Sequence, residues 1–182
     1  MSNVTDINSS FPIPFLTKVE GWPIYNGIHE SHFKLKTNVG SFHSDLGGGG
    51  NGLLGLVVHP YLYFIMYGFP FNRSQHPGYF SVISDLATGS TTSELVQQYK
   101  VQKTQFEITN YCDDVLKQKI LAVFHNDYLE GVTNANPWFS QTTTLELLNH
   151  LYYSYGTINL SEMENATNVI IIPYYPSKPI TK

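Results

Sequence analysis

The chain has 182 residues, 42% hydrophobic and only 13% charged, with a net charge of -4 and a single cysteine. Without clustered Lys and Arg it lacks the means of releasing counterions from a phosphate backbone, so direct nucleic-acid binding by these residues is excluded from the front rank. One Cys excludes a disulfide framework and a Cys-rich zinc site, and no apolar stretch reaches the ~20 residues that cross a bilayer.

Residues 1–10 are polar and unpatterned, which predicts a disordered arm. They lack the basic region and apolar run of a signal peptide, so the cytoplasm is the default compartment. Sequons at Asn3, Asn8, Asn72, Asn159 and Asn165 are what a chain rich in Asn, Ser and Thr makes by chance. Phe11-Pro12-Ile13-Pro14-Phe15-Leu16 must be extended, because each residue before a proline is pushed out of the α region. Its bulky side chains predict an arm laid across the domain.

From Pro23 to Phe42, Ile24, Ile28, Leu35, Val39 and Phe42 recur at helical spacing, with Pro23 suited to a first turn. His29 and His32 are spaced to share a metal, but no carboxylate or Cys is patterned to join them. Gly47, Gly48, Gly49, Gly50 and Gly52 form a run that ends in Leu53-Leu54 rather than Gly-Lys-Ser/Thr. A phosphate-binding loop is thereby ruled out, and the run reads as a hinge or set of tight turns. Leu53–Val58 suits a strand, which would give a short β-hairpin beside the glycines. Pro60 and Gly68 then bracket a short helix, Tyr61 to Tyr67, apolar all round; it must be buried on most sides or covered by a second subunit. Phe69 to about Gly89 is turn-rich and too long to be an idle loop.

Thr91 to Asn126 is the longest segment free of Pro and Gly. Thr91 and Glu94 have capping-box spacing, and Cys112 is expected in the core. Leu95, Tyr99 and Phe106 form one apolar stripe; Ile108, Cys112, Val115, Leu116, Ile120 and Val123 form another, rotated by about a third of a turn. Either the rod breaks near Thr109-Asn110 or different neighbours cover its two sides. Thr143 and Glu146 form a second box, after which Leu145, Leu148, Leu151, Tyr152 and Tyr155 share a face and Gly156 stops the helix. Ser161 and Glu164 open a shorter helix, and Pro173, Pro176 and Pro179 end the chain in an extended tail.

The predicted architecture is mainly α: a bundle of about five helices with one long central helix, spanning residues 11–172 between the arm and a tail at 173–182. Catalysis needs a nucleophile, a base and a group that orients it. His43 with Asp45 is the best candidate pair, yet no nucleophile elbow or cofactor motif accompanies it, so the chain is not expected to be an enzyme, nor to take a cofactor, metal or small-molecule substrate. What a monomeric core leaves unexplained is the surplus of rings. Tyr61, Tyr63, Phe64, Tyr67, Phe69, Phe71, Tyr79, Phe80 and Tyr153 are the candidate interaction surface.

His43-Ser44-Asp45-Leu46-Gly47-Gly48-Gly49, then Gly52 and Leu54-Gly55-Leu56-Val57, resembles the N-terminal part of Gag from copia-like LTR retrotransposons. Those proteins typically carry Leu-Gly-Gly-Gly followed by His-Gly-His-Leu-Gly-Leu. The likeness continues through His76-Pro77-Gly78, Tyr128-Leu129, His150-Leu151-Tyr152, Tyr155-Gly156, Ile158 and Pro176 to Ile180, covering about residues 11–180. Asn51 and Leu53 stand where the family commonly shows histidines, so no role passes to those side chains. The resemblance implies a helical capsid-type structural domain that self-associates into a cytoplasmic virus-like particle. It also implies that RNA is met only through a region, such as a zinc knuckle, missing from these residues. The alternative is a monomeric protein-binding module or domesticated adaptor using the same aromatic surface.

Overall fold

The structure is a computed structural model describing residues 11–42, 44, 52–79, 89–132 and 139–156. Among them are four α-helices: α1 (Tyr25–Gly40), α2 (Pro60–Tyr67), α3 (Gly89–Val123) and α4 (Thr144–Tyr155). The expected mainly helical class is what is found. The fifth helix, expected after Ser161, lies outside the described residues, as do the tail and most of the glycine run.

α1 buries Ile28, Ser31, Leu35, Asn38 and Val39, one stripe of a 3.6-residue repeat. It begins at Tyr25 behind an extended Ile24, so Pro23 precedes the helix rather than occupying its first turn. α4 carries the expected capping box: Thr143 Oγ1 accepts from the Glu146 amide at 3.2 Å, and the Thr143 amide donates to Glu146 Oε2 at 2.7 Å. Leu147, Leu148 and Leu151 turn inward. α3 is one unbroken rod of 35 residues, about 50 Å long. Its backbone is already helical at Gly89, so Thr91 lies inside the helix and is not its cap.

The two apolar stripes of α3 have different neighbours. From Thr109 onward the helix enters the core through Cys112, Leu116, Ile120 and Val123, packing against α1 and α4. Before Thr109 the extended segment 71–79 runs beside it: His76 sets its ring edge-on to Phe106 at 5.0 Å, and the Tyr99 hydroxyl donates to the Gly78 carbonyl at 3.1 Å. This strap is anchored by Arg73, whose guanidinium donates to Asp113 Oδ2 at 2.7 Å and to Asn110 Oδ1 at 3.0 Å. Asp113 is buried and also receives the Thr144 amide at the start of α4, at 3.1 Å on Oδ1.

Leu53, Leu56, Val57 and Val58 are buried, but over a 3₁₀ turn at Gly52–Leu56 rather than a strand. The rest of the glycine-rich segment, where the hairpin was expected, lies outside the described residues, apart from Ser44, whose carbonyl accepts the Gly52 amide at 3.3 Å. Gly55 explains the compact turn: a Cβ on it would lie 2.0 Å from the Phe71 ring, which rests directly on the glycine backbone.

The N-terminal arm docks as expected. Asn38 brackets Ile13, its Oδ1 accepting the Ile13 amide and its Nδ2 donating to the Ile13 carbonyl, both at 2.8 Å. Phe11 is buried edge-on to Phe42, with the Lys119 ammonium 5.3 Å from its ring centre while donating to the Pro14 carbonyl. Phe15 alone among the arm's large groups faces out.

Two substitutions test this frame. Gly55→Ala must displace the Phe71 ring and is expected to cost about 1–3 kcal/mol of unfolding free energy, read by urea denaturation. Asp113→Ala leaves Arg73 and the Thr144 amide without their acceptor; because Arg73 is partly exposed, the loss should fall at the lower end of about 3–5 kcal/mol.

Candidate functional site

Side chains able to do chemistry are mostly committed to structure. His43 and Asp45 lie outside the described residues. His29 is exposed and stacks on Tyr25 at 5.5 Å. His32 turns the other way, its Nε2–H donating to the Val57 carbonyl at 2.7 Å and its Nδ1 accepting from the Tyr152 hydroxyl at 3.1 Å. The pair expected to be spaced for a metal thus points to different places, and no group of three His, Cys, Asp or Glu able to hold an ion occurs among the described residues. Burial, opposed by the Val57 contact, lowers the His32 pKa to about 4. Burial also pushes the Tyr152 hydroxyl up to about 12, keeping it a donor. His32 is a strut between α1, the 52–58 segment and α4. Cys112 is fully buried, and burial together with the neighbouring Asp113 charge pushes its thiol up to about 12. A thiol held there is not a nucleophile at neutral pH.

Of the glycines assigned to a hinge, Gly47, Gly48, Gly49 and Gly50 are outside the described residues. Gly52, the fifth, is buried at the start of the 3₁₀ turn.

The aromatic residues divide by depth. Tyr63 is fully buried, with Tyr67, Phe69 and Phe71 around it at ring-centre distances of 4.8, 6.0 and 5.6 Å. Tyr63 was expected on the outer surface and belongs to the core instead. Tyr67, Phe69 and Phe71 are half-buried against that core and serve chiefly to wall it in. Phe80 is not among the described residues. Tyr61, Phe64, Tyr79 and Tyr153 face solvent.

α2 is held at both ends by local geometry. His59 Nδ1 accepts the Tyr61 amide at 3.3 Å, Pro60 opens the helix, and Gly68 closes it at φ 79° with its amide on the Phe64 carbonyl at 2.8 Å. Between these caps only Tyr63 is buried. Tyr61, Leu62, Phe64, Ile65 and Met66 are 50–66% exposed, an outward apolar surface on eight residues of helix. Leu62, Ile65 and Met66 were not singled out by counting rings, although the unbroken apolar run contained the signal. A second aromatic group joins an exposed Trp22 to the half-buried Tyr128 and Tyr155, which it meets edge-on.

No family model, no curated protein and no solved structure matches this chain. No helix among the described residues is long and apolar enough to cross a membrane.

Two outcomes follow from the buried groups. The unfolded chain takes up a proton at His32 near pH 6.5, whereas the folded protein resists it down to about 4. Stability contributed by the neutral ring is therefore complete above pH 6.5 and drains away as pH falls toward 4, by at most about 3 kcal/mol and less by whatever water reaches the ring. Urea midpoints across that window should fall less steeply in His32→Gln. Cys112 should resist iodoacetamide in the native protein at pH 8 and be labelled completely in denaturant, as read by intact mass.

Proposed function

We propose that this is a capsid-type, Gag-like structural protein that works by self-association, not by catalysis. The observation that supports the reading is the exposed α2 face. Covering each of its five large apolar side chains gains on the order of 1 kcal/mol, since about half of each is still wet. Set against the entropy of association, that total makes a weak contact. Weak contacts suffice when the same patch recurs through a shell, because closure multiplies them.

The sequence likeness to copia-like Gag agrees with this reading, as does the low charge, which leaves little repulsion between copies. The reading comprises a bundle of about five helices, a particle in the cytoplasm, and RNA contact only through a region beyond these residues. The same face would hold a different protein if the chain acted as a monomeric adaptor, and concentration separates the two.

In light scattering of the full chain, average mass should rise with concentration, and negative-stain images should show large regular species. Leu62→Glu with Ile65→Glu, at exposed positions that leave the core intact, should hold the protein at monomer mass. A wild-type chain that stays monomeric throughout contradicts self-association and favours the adaptor.

A further inference from the structure

One side chain on the outward face of α2 differs from its neighbours in chemistry. Met66 carries a thioether sulfur, which a hydroperoxide oxidises without any proton having to leave first. The side chain is 60% exposed, and Leu62, one turn earlier on the same side of the helix, is open to solvent with it. Met66 does not hold α2 in place. Tyr63 is the buried residue of the helix, and the caps are made by the His59 ring and the Gly68 backbone. A change at this sulfur therefore alters the surface and spares the core.

The other sulfur of the described residues is closed off. Cys112 is fully buried, and its thiol, pushed up to about 12, carries almost no thiolate at neutral pH. Met1 and Met163 lie outside the described residues. Among the described residues, then, the sulfur within reach of a dissolved oxidant stands on the largest apolar face. Oxidation there converts a flexible apolar side chain into a polar one that needs hydrogen-bond donors. The side chains of Leu62, Phe64 and Ile65 supply none. The Tyr61 hydroxyl is five positions away, about 140° around the helix. A sulfoxide pressed into a covered α2 face would lose its water and find nothing in its place.

We propose that Met66 is a modification site for hydroperoxides, and that its sulfoxide takes the α2 face out of use as an apolar contact. A sulfur lone pair attacks the terminal peroxide oxygen, and the S–O bond forms as the O–O bond breaks. Sulfur gives up two electrons. The departing hydroxide or alkoxide takes the proton from the transferred oxygen and leaves as water or an alcohol. Because association would cover the sulfur, the reaction falls on free chains and controls entry into the contact. That consequence rests on the self-association reading; the reaction and the polarity change do not.

The test treats the dilute full chain with hydrogen peroxide, in a Met163→Leu background, and locates added oxygen by peptide mass. Met66 should be oxidised while circular dichroism is unchanged. Retention of the dilute protein on a phenyl column should shorten after peroxide, and should not change in Met66→Leu. The concentration at which half the protein associates should rise about tenfold on oxidation, and again should not move in Met66→Leu. Methionine sulfoxide reductases with dithiothreitol should restore both values. The proposal is overturned if Met66 stays unoxidised, if its oxidation leaves retention unchanged, or if Met66→Leu responds as wild type does. Retention decides this even for a chain that never associates: a shortened retention then upholds the site, and the constant mass contradicts self-association alone.

Discussion

A carboxylate taken out of water must find its partners inside the protein, and Asp113 finds them on two different elements. One oxygen holds the strap through Arg73 and the other holds the first amide of α4 through Thr144. The Thr144 hydroxyl returns a second bond, 2.9 Å to the Asp113 carbonyl. The start of α4 is thereby fixed against the middle of α3, which aligns their apolar stripes. The strap is fixed at the same point, and two residues before Arg73 it lays Phe71 on Gly55. Phe71 in turn walls in Tyr63, the fully buried side chain of α2. The outward face of α2 is thus the far end of a chain of contacts that begins at one buried charge.

The same economy shapes the exterior. The chain has few charged groups, and several of them are spent on architecture. Asp113, Lys117 and Lys119 are all buried, and Lys119 is assigned to the arm, where burial lowers its pKa. What remains outside is polar but weakly charged, interrupted by the α2 face and by the Trp22 cluster. Little electrostatic repulsion opposes the approach of another molecule to such a surface. A self-associating protein benefits from that condition.

Some local signals were carried openly in the sequence, though Thr91 and Pro23 marked their helix starts two residues off. The capping box at Thr143 and Glu146 sits within one turn, and Pro60 and Gly68 bound α2 by their own backbone preferences. The docking of the arm was legible because alternating prolines leave it no helical option. Leu53–Val58 was not legible: a short apolar run is compatible with strand or turn, and the choice rests on Phe71, which arrives from further along the chain. Tyr63 and Tyr61 could not be told apart for the same reason. A helix apolar on every side has no periodicity to mark its inner face. The salt bridge between Arg73 and Asp113 spans 40 positions and leaves no trace in spacing. The two stripes of α3 left open a break near Thr109-Asn110 or two different neighbours, and both the choice and the identity of the strap had to come from the fold.

The claim on which the function rests is that the α2 face is covered by other copies of the chain. Amide hydrogen exchange over Pro60–Tyr67, followed as the protein is concentrated, addresses it directly. An eight-residue helix with one buried side chain should exchange quickly when dilute and gain protection as copies associate, while α4 stays equally protected throughout. Exchange in α2 that is the same at every concentration, in a protein whose mass also does not grow, would contradict the account.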